Sequence, residues 1–104
     1  MTLETLVIPK PAYNVLRRVT GEIRPDVALS MALKDLIRLR IEAAQAKNEA
    51  YEKKYGLTFV QFEQRWQAGQ IENALSYPIE QDYLYWEATL TDLNMLQEVA
   101  AWAV

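Results

Sequence analysis

The sequence predicts a mainly α-helical chain with one short N-terminal strand, a short helix, a long helix and two C-terminal helices. Three observations carry that fold class. Apolar residues recur at spacings of three and four over most of the 104 residues, the period of a helix with one buried face. The three glycines, Gly21, Gly56 and Gly69, fall between the periodic runs, where helices end. Residues 2–8, TLETLVI, instead alternate with period two and stop at Pro9, the pattern of a half-buried strand.

In chain order, the strand over 2–8 places Glu4, Leu6 and Ile8 on one face and Leu3, Thr5 and Val7 on the other. It has no partner strand in an otherwise helical chain, so a second copy of the chain is the simplest source of its hydrogen bonds, and a homodimer is expected. Pro11 then opens a short helix over 11–19, with Ala12, Val15, Leu16 and Val19 at helical spacing and Gly21 behind it. Pro25 and Asp26 open a third element that meets no further Gly or Pro until Gly56. A helix from 26 to 55 would be about 45 Å long at 1.5 Å per residue, enough to leave a first module and carry a second. Leu33, Ile37, Ile41, Ala44, Tyr51 and Tyr55 form its stripe, which Asn48 interrupts; Leu29, Leu36, Leu39 and Ala43 add a second stripe over its first half. Thr58-Phe59-Val60-Gln61 fits a capping box. It starts a helix over 59–68 with Phe59, Phe62 and Trp66 on one side. Ser76-Tyr77-Pro78 starts the last helix, with Ile79, Tyr83, Trp86, Leu90, Leu93 and Ala100 as its inward stripe. The domain reading is a strand-helix-helix module over 1–44 and an acidic helical region over 45–104.

Composition restricts the chemistry. The chain has no cysteine and no histidine, which removes disulfides, thiolate nucleophiles, the commonest general base and the usual zinc ligands. A Ser30–Lys34 pair reads as a helix surface, and Glu80, Asp82 and Glu87 read as a solvated face. No enzyme activity, cofactor or metal is expected. The longest apolar run, Val99–Val104, is far below the ~20 residues of a membrane span. The N-terminus lacks the pattern of a signal peptide, so a soluble, cytoplasmic chain without membrane contact is expected.

Charge is split. Residues 1–56 carry ten Lys/Arg against seven Asp/Glu, and residues 57–104 carry one against seven. All three tryptophans lie in the acidic part. The run Tyr83-Leu84-Tyr85-Trp86 cannot face one core from a single helix. With Tyr83 and Trp86 inward, Leu84 points away and Tyr85 sits at the margin. Exposed aromatic side chains among carboxylates anchor and steer protein partners. The expected partner-binding residues are Trp66, Leu84, Tyr85, Trp86 and Trp102, with Trp66, Tyr83 and Trp86 also read as helix-to-helix packing.

The order strand, helix, turn, helix over residues 2–44, carried by LVIP and RPDVALSMALKDLIRLR, resembles a ribbon-helix-helix module. That resemblance implies paired strands entering a DNA major groove. Thr5 would be the one strand residue able to read a base, and Arg17, Arg18 and Arg24 would touch phosphates. The stretch YGLTFVQFE from Tyr55, followed by GQIE from Gly69 and DYLYWE from Asp82, resembles small prokaryotic antitoxins of toxin–antitoxin pairs. The resemblance implies that the N-terminal part dimerises and binds its own operator. It also implies that the acidic C-terminal part covers a toxin, often a basic ribonuclease. The strand's few base readers weigh more against autoregulation than against neutralisation. The competing reading is a non-catalytic helical scaffold that binds protein and never nucleic acid.

Overall fold

The computed structural model describes residues 7–102, and among these the fold is all-α. Four helices follow in order: α1 Lys10–Thr20, α2 Pro25–Tyr55, α3 Phe59–Gln67 and α4 Tyr77–Trp102. The predicted N-terminal strand is corrected. Val7 and Ile8 carry no regular secondary structure, and no strand exists among the described residues; positions 2–6 of the expected strand, Thr5 included, lie outside them. The physical reason is pairing. A strand holds its N–H and C=O groups only through a neighbouring strand, and every regular element described here is a helix. With the strand, the ribbon-helix-helix likeness loses its defining element, and the expected strand-mediated dimer loses its basis.

The helix ends follow local chemistry. Pro11 sits in the first turn of α1, and Arg17 and Arg18 in the last turn complement the helix dipole. Asp26 lies in the first turn of α2, and Lys53 and Lys54 in its last. Gly56 then turns left-handed (φ 66°) while its N–H donates to the Glu52 carbonyl at 2.7 Å, a C-cap that favours glycine. The Thr58 capping box is complete. The Gln61 N–H donates to Thr58 Oγ1 at 3.3 Å, and the Thr58 N–H donates to Gln61 Oε1 at 3.0 Å. Between α3 and α4 the chain turns through Asn73 (φ 56°), with the Ser76 N–H donating to the Asn73 carbonyl at 2.8 Å.

The chain forms two compact units that meet within α2, one ending at Leu36 and the other beginning at Ile37. The first holds α1 and the opening turns of α2, and its one fully buried hydrophobic residue among those described is Ala28. Tyr13 OH donates to the Ile23 carbonyl at 2.6 Å, joining the end of the connecting turn to α1. The second unit holds the rest of α2 with α3 and α4. Its core is Ala44, Phe62 and Trp86, with Thr89 beside them. No helix is long and apolar enough to cross a membrane among the described residues.

Candidate partner-binding surface

An aromatic cluster fixes how α4 is rotated. Trp86 is completely buried. Its ring stacks on Tyr51 (centroids 5.4 Å) and Tyr55 (5.9 Å) from α2. From α3, Phe59 meets it edge-on at 5.2 Å and Phe62 packs at 5.3 Å. Trp66 lies against Tyr83 at 4.7 Å and Phe62 at 6.0 Å. Such pairs add about 0.5–1.5 kcal/mol each beyond the area they bury.

Two polar locks set the register. Trp86 Nε1–H donates to Asn48 Oδ1 at 2.8 Å, so the residue that interrupts the α2 stripe satisfies the buried indole. Lys54 Nζ donates to Asp82 Oδ2 at 2.6 Å, and Tyr55 OH donates to the same oxygen at 2.5 Å. Burial acts to raise the Asp82 carboxyl, but the hydrogen bonds from Lys54 and Tyr55 and the Lys54 charge outweigh it and hold the group below the usual carboxylate range. Burial first, then the hydrogen bond and charge of Asp82, push the Tyr55 phenol well above its ordinary value. Burial also raises Tyr51 and Tyr83, helped by Asp82 at the former and Glu63 at the latter. Tyr83 OH donates to Glu63 Oε2 at 3.3 Å.

With Trp86 turned inward, the opposite side of α4 is fixed by geometry. Tyr77, Leu84, Ala88, Met95 and Trp102 stand at spacings of four and seven and share one outer face. Tyr77 is 73% exposed, Leu84 55%, Tyr85 57% and Trp102 79%. Gln81 Nε2 donates to the Tyr77 hydroxyl at 2.8 Å and to the Tyr85 hydroxyl at 3.4 Å, tying two of these rings into a row. Glu80, Glu87 and Glu98, all exposed, follow one edge of the face, and α4 carries no Lys or Arg. Along the other edge an open groove of about 460 Å³ runs between α2 and α4, lined by Lys47 and Tyr51 on one side and Tyr85, Ala88, Thr89 and Asp92 on the other.

The expected site residues therefore fall into different environments. Leu84, Tyr85 and Trp102 are presented to solvent, Trp66 is half-buried, and Trp86 is enclosed. Tyr77 and Met95 belong to this surface beyond the expected set, and their spacing from Leu84 carried the signal. Of the expected DNA contacts, Arg17 and Arg18 are exposed at the end of α1, and Arg24 is paired with Glu22 at 3.3 Å. Thr5 lies outside the described residues. Among the described residues no cluster of three acidic, His or Cys side chains is placed to hold a metal ion.

The fold and this surface define a small all-helical protein whose last helix is apolar on two opposite faces. No family model, no curated protein and no solved structure matches the chain.

Proposed function

We propose that this chain is a non-catalytic, partner-binding protein of the antitoxin type, which holds a basic protein against the outer face of α4 and blocks that protein's own substrate site. The observation that carries the reading is the two-sidedness of α4. An apolar helix face is normally buried against a partner element, yet of the two apolar faces of α4 only the Trp86 side is covered by this chain. The outer stripe is aromatic and aliphatic with a carboxylate edge, the composition of a protein interface and the charge that steers a cationic partner. A basic ribonuclease has a positive groove for RNA, and an acidic helix competes for it with the same electrostatics.

The antitoxin resemblance contributes in a specific way. Its motif residues Tyr55, Gly56, Thr58, Phe59, Phe62, Asp82, Tyr83 and Trp86 build the caps, the aromatic cluster and the Asp82 lock. The resemblance thus describes a scaffold, and the surface it presents lies on the residues between, led by Leu84 and Tyr85.

The test is co-expression with the product of the adjacent gene. That product alone should arrest growth, and this chain should relieve the arrest and co-purify with it. Leu84→Asp combined with Tyr85→Asp should abolish both effects while the helical circular dichroism is unchanged. A product that binds without being toxic would replace the antitoxin reading by the scaffold reading. A product that neither binds nor harms the cell would remove the antitoxin reading.

A further inference from the structure

The groove between α2 and α4, about 460 Å³, has a chemistry that the outer face of α4 does not share. Its two aromatic walls are held in place. The Tyr51 ring stacks on Trp86 at 5.4 Å, and the Tyr85 hydroxyl accepts from Gln81 Nε2 at 3.4 Å. Tyr85 and Asp92 stand two turns apart on one side of α4, about 10 Å along its axis, with Ala88 and Thr89 between them. Ala88 offers only a methyl group, which leaves the space beside the rings open. The polar groups that follow on the α4 wall are acceptors. Asp92 is an exposed carboxylate. Thr89 is 9% exposed, and its hydroxyl already donates to the Tyr85 carbonyl at 2.9 Å, so its oxygen can only accept a further bond. Neither Asp92 nor Lys47 on the facing wall makes a hydrogen bond or ion pair among the described residues.

We infer that this groove receives one arginine side chain of the protein that α4 holds, its guanidinium donating to Asp92 and Thr89 and its stem lying on Ala88 between Tyr51 and Tyr85. The inference rests on the partner-binding reading above and names the residue the partner inserts. Three observations select arginine. The first is the match of donors to acceptors. A guanidinium carries five N–H donors and no acceptor, and its planar fork fits a carboxylate. The second is the pair of aromatic walls. The arginine stem is apolar and its head is weakly hydrated and stacks on rings, whereas a lysine ammonium holds its water strongly. The third is field and position. Residues 57–104 carry one Lys/Arg against seven Asp/Glu, a potential that draws cations. Tyr85 and Ala88 also border the outer face of α4, so the groove continues the surface on which the partner docks.

Lys47 makes the sign of the occupant readable. It stands exposed on the α2 wall, where its ammonium repels a second cation and directs the guanidinium to the α4 wall. An acidic occupant would reverse these roles, pairing with Lys47 and being repelled by Asp92. Removing each charge in turn therefore separates the two cases.

The test is a titration of the isotope-labelled full chain, followed by amide chemical shifts, with the peptide acetyl-Ala-Arg-Ala-amide and its lysine, citrulline and glutamate counterparts. The arginine peptide should bind saturably at millimolar concentration and shift Lys47, Tyr51 and the stretch from Tyr85 to Asp92. It should bind several-fold more tightly than the lysine peptide, and the neutral citrulline and acidic glutamate peptides should not bind. Asp92→Asn should weaken binding roughly tenfold, the loss of one charge-assisted hydrogen bond. Ala88→Leu should block the groove, and Lys47→Ala should bind at least as tightly as the wild type. All three replaced side chains are exposed, so the fold should be retained. Calorimetry of the same variants against the product of the adjacent gene should give the same order. An arginine peptide that binds no better than citrulline or glutamate, or binding lost in Lys47→Ala and kept in Asp92→Asn, would overturn the inference. A product that binds wild type and Asp92→Asn equally would also overturn it, while leaving the partner-binding reading in place. Arginine binding in the groove with no binding of the product would support the groove and remove that reading.

Discussion

Replacing Asn48 with alanine should leave the buried Trp86 indole N–H without an acceptor. The bond is 2.8 Å long and its donor residue is fully buried, so the stranded group carries a desolvation cost of about 1–3 kcal/mol. Two smaller effects accompany the change. Alanine is the better helix former by about 0.6 kcal/mol in the middle of α2. The Asn48 Nδ2 to Glu52 Oε1 contact, 3.3 Å and one turn away, is lost as well, at a few tenths of a kcal/mol. The net loss is then about 0.7–2.7 kcal/mol, which lowers the melting temperature of a unit this size by roughly 3–20 °C. Urea unfolding followed by far-ultraviolet circular dichroism measures it. A double-mutant cycle with Trp86→Phe isolates the hydrogen bond. Once the indole is gone, Asn48→Ala has only its propensity gain and the weak Glu52 contact to express, and should be neutral or slightly stabilising. An equal loss in both backgrounds would refute the reasoning, because the cost would then lie in Asn48's own environment.

Other consequences concern titration and caps. The Asp82 carboxyl is held below its unfolded value. Its contribution is therefore present above about pH 4, the unfolded carboxylate range, and is lost as pH falls through the lower folded pKa. Asp82→Asn should flatten the acid limb of a stability–pH curve while lowering stability at neutral pH. The phenols of Tyr51, Tyr55 and Tyr83 are raised. Their contribution is full below about pH 10, the unfolded value, and is lost as pH rises through the higher folded values. Absorbance at alkaline pH should show these three ionising late, together with unfolding, and a single transition of all tyrosines near the ordinary pKa would contradict it. Gly56→Ala places a Cβ in open space at φ 66°, so it should cost only the left-handed conformation, about 1–2 kcal/mol, with no change in partner binding measured by calorimetry.

Much of the helical framework was legible because its signals act over three or four residues. Gly21 and Gly56 end α1 and α2 through their own left-handed backbone, and Thr58 starts α3 through Gln61. The expected strand failed for the complementary reason. Alternation describes a strand's faces but supplies no partner, and without a ladder the backbone at Val7 and Ile8 stays irregular. The candidate surface was largely legible: the run Tyr83 to Trp86 cannot all face inward, which exposed Leu84 and Tyr85, and helical spacing puts Tyr77 and Met95 on the side of Leu84; the rotation of α4 decided that this side stays uncovered.

That rotation came from contacts far apart in the chain. Trp86 reaches Asn48 across 38 positions, and Asp82 reaches Lys54 across 28. In the sequence Asn48 was merely a gap in an apolar stripe and Asp82 one carboxylate among many. By itself the sequence determined where helices begin and end, an absence of cysteine and histidine chemistry, and an acidic second half. Only the tertiary structure decided which aromatic rings became core and which face of α4 was left uncovered. Burial and buried hydrogen bonding are properties of which segments meet, and no local pattern fixes that.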